Sequence, residues 1–209
     1  MQPVFQPSLL DNGPTVGLSP LIFGSERTLL ADDAWIELRR NWVSGSDRLF
    51  DHLLRVVPWR TERRRMYDRV LDVPRLAAFY GESQQLPDPA LETIKETLSE
   101  HYRPELGEPF RTVGLCLYRG GSDSVAWHGD RIGRARTDDT LVAIVSLGTP
   151  RRFLLRPRGG GPSRHFELGR GDLLVMGGSC QRTWEHCVPK LSHAHGPRIS
   201  IQLRPQGVR

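Results

Sequence analysis

The seven residues Arg198-Ile199-Ser200-Ile201-Gln202-Leu203-Arg204 constrain the chain more than any other stretch. Polar and charged side chains alternate strictly with aliphatic ones, and an extended strand is what puts residues two apart on one face. Ile199, Ile201 and Leu203 therefore belong to an apolar core, while Arg198, Ser200, Gln202 and Arg204 line something polar. Two arginines six residues apart on that polar face suit a dicarboxylate held at both ends by charge-assisted, often bidentate hydrogen bonds.

Upstream, Trp127-His128-Gly129-Asp130 contains a His-x-Asp pair whose members point the same way on a strand or at its end. His186 follows Asp130 by 56 positions, shortly before the alternating strand. Two imidazoles and one carboxylate make the facial set that binds non-haem Fe(II) and leaves positions open for a cosubstrate and O2. A lone His-x-Asp carries little information. A third ligand, followed by a strand bearing two arginines, carries much more. His193 and His195 sit among Ser192, Ala194 and Gly196, which reads as a surface loop rather than a ligand set. Cys187 neighbours His186, so on a strand its thiol points the opposite way and packs.

Around these motifs the chain is organised as one domain, since 209 residues suffice for a single proper core. Residues 1–27 carry Pro3, Pro7, Pro14 and Pro20 without a period and read as an extended lead-in, with the domain over 28–209. A short strand fits 34–38. Ser46 as N-cap would open a helix presenting Leu49, Phe50, Leu53, Leu54 and Val57 and ending before Pro58. Asp88 as cap and Pro89 in the first position would start a second helix through His101, with Leu91, Ile94 and Leu98 on one side. From Arg111 onward strands are expected at 112–118, 140–147, 152–155, 163–168, 172–176 and 197–204, with Gly159-Gly160-Gly161 as a tight turn. Many short strands with few helices between them predict an α+β, mainly β fold. The core is a jelly roll over 111–205, with the N-terminal helices buttressing one sheet.

The stretch 59–75 interleaves Arg60, Arg63, Arg64, Arg65, Arg69 and Arg75 with Trp59, Met66, Tyr67 and Val70. Charge for phosphates and rings for bases is the pattern of a nucleic-acid surface. The net charge of +5 favours phosphate in the same sense, and Lys95 and Lys190 are the only lysines among the basic residues.

The motifs Leu117-Tyr118, Asp123-Ser124, Trp127-His128-Gly129-Asp130, Ser146-Leu147-Gly148, Gly171-Asp172-Leu173-Leu174-Val175-Met176, Gln181, Trp184-Glu185-His186 and the run 198–204 resemble the AlkB family. The resemblance implies a double-stranded β-helix (jelly roll) and a 2-oxoglutarate- and Fe(II)-dependent dioxygenase that uses O2 to demethylate alkylated bases in DNA. His128, Asp130 and His186 would hold iron. Arg198 would meet the distal carboxylate of 2-oxoglutarate and Arg204 the end nearer the metal, with Tyr118, Gln202 and Cys116 lining the pocket. Cys116 stands where family members usually carry Asn, and Arg131 where many carry a second acidic residue. The segment 59–81 corresponds to a nucleotide-recognition lid. Trp59, Arg63, Arg64, Arg65, Tyr67, Arg75, Tyr80 and Trp127 are then the nucleic-acid contacts, with single-stranded DNA the favoured partner. The same iron chemistry on RNA, tRNA or a protein side chain is the alternative, as is a nucleic-acid-binding module without turnover.

Three cysteines without CxxC spacing argue against a disulfide framework or a zinc site and fit a reducing cytoplasm. No apolar run approaches a membrane span, and Met1-Gln2-Pro3-Val4-Phe5 does not begin a secretory leader. A cytoplasmic monomer is expected.

Overall fold

The structure, a computed structural model, describes residues 15–21, 27–66, 69–193 and 195–208, with the backbone alone at 62–66 and 69–72. Its elements in chain order are β1 (Gly17–Leu18), β2 (Arg27–Leu29), β3 (Trp35–Arg39), β4 (Val43–Ser44), α1 (Ser46–Val56), β5 (Arg60–Met66), β6 (Arg69–Tyr80) and α2 (Pro89–Leu106). There follow β7 (Thr112–Tyr118), β8 (Val125–His128), a 3-10 turn (Arg134–Arg136), β9 (Val142–Gly148), β10 (Arg151–Pro157) and β11 (Arg164–Leu168). The chain closes with β12 (Asp172–Gly177), α3 (Cys180–Thr183), β13 (Trp184–Val188) and β14 (Arg198–Arg204).

Two antiparallel sheets face each other. The larger runs β2-β3-β12-β9-β14-β7-β6-β5 and the smaller β11-β10-β13-β8. This is the predicted mainly β jelly roll. The alternating run becomes β14, at the centre of the larger sheet between β9 and β7. Its Ile199, Ile201 and Leu203 are fully buried in one cluster with Val113, Leu115 and Leu117 of β7, which also takes in Leu49, Phe50 and Leu53 of α1 and Leu91, Ile94 and Leu98 of α2. The N-terminal helices thus cover the outer face of the larger sheet, as expected. The other face, with Cys116, Tyr118, Ile144 and Leu174, packs against Phe153, Leu155 and Val188 of the smaller sheet. Polar residues of β14 point into the gap between the sheets, and the site lies there.

Removing the side chain of Ile201 opens a cavity under both helices. Ile201→Ala should destabilise the fold by about 2–5 kcal/mol, read as a lower melting temperature by calorimetry.

Helix boundaries differ from the sequence reading in instructive ways. Ser46 is the first helical residue, and Gly45 in the left-handed region (φ 66°) is the cap, without a side-chain hydrogen bond. A Cβ at position 45 would lie 2.7 Å from the Thr15 carbonyl oxygen, so the approaching strand segment, not a hydroxyl, sets the start of α1. Asp88 does cap α2, accepting from the Ala90 N–H at 2.8 Å. That helix continues beyond His101 to Leu106, with Pro104 inside its last turn and Gly107 (φ 73°) closing it by donating to the Arg103 carbonyl. A proline so near the end forfeits a single ladder bond, which Tyr102, buried against the sheet, outweighs. Among the described residues no helix is long and apolar enough to cross a membrane.

Candidate active site

His128 ends β8 and His186 lies mid-way along β13. The two strands pair antiparallel with these residues directly opposite, so the rings stand 4.3 Å apart between centroids. Asp130 lies two residues beyond the strand, after Gly129. A Cβ at Gly129 would meet the Gln181 carbonyl oxygen at 2.6 Å, so only glycine lets the chain pass α3 there. The Gln181 side chain accepts from the Asp130 N–H at 2.9 Å and fixes the turn. One ligand atom from each of His128, Asp130 and His186 lies within 4.8 Å of the others, and no other such group of His, Cys, Asp or Glu occurs among the described residues.

The protonation states suit a divalent cation. His128 Nδ1 sits 2.8 Å from the Ala126 carbonyl, which makes it the donor and leaves Nε2 free toward Asp130, 3.8 Å away. Burial lowers the His186 imidazole to about 3, aided by the neighbouring His128, so it stays neutral; Phe153 stacks on it at 5.2 Å. Burial pulls the Asp130 carboxyl upward, but Arg204 and the two imidazoles outweigh it and hold it at about 2. Arg204 Nε donates to Asp130 Oδ2 at 2.8 Å. Two imidazoles and one carboxylate grouped this closely are the donor set that fits an iron(II) ion.

The second half of the pocket is cationic. Arg198 is 1% exposed, yet only one of its nitrogens is satisfied, by donation to Ser146 Oγ at 2.7 Å. Its Nε and Nη1 have no hydrogen-bond partner, and among the described residues no carboxylate pairs with it. A buried guanidinium with idle donors is costly unless an anion arrives. Burial accordingly lowers its affinity for its proton. Tyr118 lies beside it, with the Arg198 guanidinium 5.3 Å from the ring centre; burial pushes the phenol up to about 12, so it remains a donor. Arg204 lies at the metal end and Arg198 at the far end of the same strand face. The arrangement fits 2-oxoglutarate spanning between them. Cys116 and Gln202 lie between, with Sγ and Oε1 3.9 Å apart.

The residues expected to meet nucleic acid are placed less uniformly. The side chains of Arg63, Arg64 and Arg65, and all of Tyr67, lie outside the described residues; the backbone of 63–65 pairs with 70–72 in a β5–β6 hairpin at the end of the larger sheet. Arg75 is buried, with Nε 3.4 Å from Cys116 Sγ, and so lies at the inter-sheet pocket. Trp59 donates its indole N–H to the Leu54 carbonyl at 3.3 Å and packs on the helix side of the sheet, as Tyr80 does. Trp127 lies under the Arg156 guanidinium at 3.9 Å, which Glu185 holds at 2.6 Å. Trp184, also next to a ligand, is a core residue donating to the Ala31 carbonyl at 3.3 Å. His195 bonds the Pro150 carbonyl and joins no ligand group, and the three cysteines are free and buried.

Two residues that work in the site have no role assigned from the sequence. Ser146, opposite Ser200 on β9, orients Arg198. Arg151, 1% exposed, donates to the carbonyls of Gly120, Asp123 and Pro189 and ties the loops on either side of β8 and β13 together. Its signal was parity: Arg151, Phe153 and Leu155 alternate inward on β10, while Arg152 is exposed.

Comparison with known proteins agrees with this geometry. Residues 80–204 match the 2OG-Fe(II) oxygenase superfamily. The alpha-ketoglutarate-dependent dioxygenase alkB homolog 3 of Bos taurus is 32% identical over 181 residues, covering 78% of this chain and 62% of that protein. The DNA oxidative demethylase ALKBH2 of Arabidopsis thaliana is 27% identical, covering 92% of this chain and 70% of that one. The chain thus spans about three-fifths of the alkB homolog 3 proteins it matches. A prolyl hydroxylase of Trichoplax adhaerens, solved with a hypoxia inducible factor peptide fragment, superposes with TM-score 0.58 at 13% identity, covering 81% of this chain and 82% of that one; this is likeness of fold.

Proposed function

Because the chain belongs to the 2OG-Fe(II) oxygenase superfamily, and within it to the AlkB family, we propose that it is an Fe(II)- and 2-oxoglutarate-dependent dioxygenase that demethylates alkylated bases in DNA. The observation that carries this reading is the pairing, in one inter-sheet gap, of a two-His-one-carboxylate cluster with a buried arginine whose donors await an anion. Iron with 2-oxoglutarate and O2 supplies the oxidation of a methyl C–H bond, with succinate and CO2 as coproducts. The resulting N-hydroxymethyl group breaks its N–C bond to release formaldehyde and the repaired base.

The protein groups bind and orient. Arg198, steered by Ser146, takes the distal carboxylate of 2-oxoglutarate, and the Tyr118 hydroxyl is within the same pocket to donate to it. Arg204 holds Asp130 ionised and in place. The Ala126 carbonyl fixes the His128 tautomer. Basic residues of the β5–β6 hairpin support a nucleic-acid partner through phosphate contacts. A base in a duplex must be flipped out to reach such a recessed site, which favours single-stranded substrate.

The test is turnover with Fe(II) and 2-oxoglutarate on a methylated single-stranded DNA, a methylated RNA and a peptide. DNA is expected to stimulate succinate and formaldehyde in equal amounts. Stimulation by RNA or peptide alone would redirect the substrate assignment, and no succinate with any of them would overturn the enzyme reading.

A further inference from the structure

Among the described residues four large hydrophobic side chains are markedly exposed: Leu29, Val56, Phe79 and Ile132. Phe79 is the one carried on the larger sheet next to the site, and strand register states which way it points. β6 pairs antiparallel with β7 so that Phe79 stands opposite Gly114 and Ala77 opposite Cys116. Directly opposed residues project to the same face. Position 114 faces the site, since a Cβ there would lie 3.1 Å from Arg204 Nη1 and 3.2 Å from Gln202 Oε1. Ala77 packs with the inter-sheet cluster, whereas Leu76, Ala78 and Tyr80 pack with the helix-side cluster. Phe79 therefore projects from the site-facing side of the sheet, separated from the Arg204–Asp130 pair by a residue without a side chain, and 53% of it is open to solvent. Tyr80, Trp59 and Trp127 each have their rings committed elsewhere.

We propose that Phe79 is the aromatic platform on which the substrate base lies when its methyl group is presented to the metal end of the pocket. The inference rests on the reading of the chain as a base demethylase and adds which ring positions the base. The physical ground is that an exposed aromatic ring beside a polar pocket offers a stacking surface to a flat heteroaromatic base. Gly114 keeps the floor between Phe79 and Arg204 clear. Phe79 is a substrate-positioning residue, distinct from the metal ligands and from the cosubstrate arginines.

The experiment is steady-state demethylation of a single-stranded oligonucleotide carrying one N1-methyladenine, with formaldehyde measured, for wild type and for Phe79→Ala, Phe79→Leu, Phe79→Trp and Tyr80→Phe. Loss of one base–aromatic stack corresponds to roughly a five- to hundredfold change. Phe79→Ala and Phe79→Leu should raise the oligonucleotide KM by that amount, with uncoupled succinate formation and the 2-oxoglutarate KM unchanged. Phe79→Trp should restore the KM to within about threefold, since it keeps a π face, and Tyr80→Phe should not move it. Leucine retains bulk, so equal KM values for Phe79→Leu and wild type would overturn the platform role while leaving the demethylase reading intact. Wild type that releases no formaldehyde from the oligonucleotide would overturn that reading and this one together. Parallel loss of succinate formation and oligonucleotide affinity in Phe79→Leu would show a structural role and likewise overturn the proposal.

Discussion

Asp130→Ala should reduce turnover to background and abolish the visible charge-transfer band that Fe(II) and 2-oxoglutarate give under anaerobic conditions. Three ligand atoms within 4.8 Å form a site only if all three are present, and the carboxylate is the sole anion among them. The substitution also strands Arg204, whose Nε donates to that carboxylate at 2.8 Å with both side chains mostly buried. A modest loss of stability is therefore expected along with the loss of metal, and Asp130→Asn, which keeps size, separates the two. Retention of the band and of turnover in both variants would remove Asp130 from the ligand set. The same pair sets an acid limit for the metal-free protein. Burial works against ionisation, but Arg204 and the imidazoles hold the carboxyl at about 2, below its unfolded range near 4. A depressed carboxylate stabilises the fold at pH values above that unfolded range, and the contribution is lost as pH falls toward 2. In Asp130→Asn this part of the acid dependence should disappear.

The second large effect concerns Arg198. With Nε and Nη1 unpartnered at 1% exposure, this guanidinium carries most of its desolvation cost in the absence of an anion. Arg198→Met should therefore melt at a higher temperature than wild type when no cosubstrate is present, and lose the rise in melting temperature that 2-oxoglutarate produces in wild type. Arg198→Ala should raise the 2-oxoglutarate KM by roughly ten- to a hundredfold, the equivalent of one charged hydrogen-bond pair. Arg198→Lys should recover only part of this, because Ser146 and the carboxylate both use the planar fork and a point charge cannot serve the two at once. An unchanged KM in the alanine variant would exclude the role.

How far the sequence carries depends on whether a feature is local. β14 was legible because a period of two over seven residues admits one structure, and its buried and polar faces follow from side-chain chemistry. Asp88-Pro89 likewise announced the start of α2, since a cap and a fixed φ act within one turn. The ligand strands β8 and β13 were weaker as strands: Val-Ala-Trp-His and Trp-Glu-His-Cys-Val spend their positions on function and keep no apolar alternation. Ser46 misled because the helix start is set by a tertiary approach of Thr15 to Gly45.

The residue types and their spacing thus determined that the chain carries two imidazoles, a carboxylate and a pair of strand arginines with one polar face. What it could not determine is which of two equivalent strand faces turns toward the site, because alternation defines two sets of side chains and leaves their direction to the neighbouring strand. The pairing of β6 with β7 decided that Arg75 and Phe79 face the pocket and Tyr80 the helices. The pairing of β13 with β8 set His186 opposite His128, and the closing of one sheet over the other brought Arg204 to Asp130, 74 residues apart. These are contacts between distant segments, whose register is chosen by burying both apolar faces at once, and only the assembled sheets contain that information.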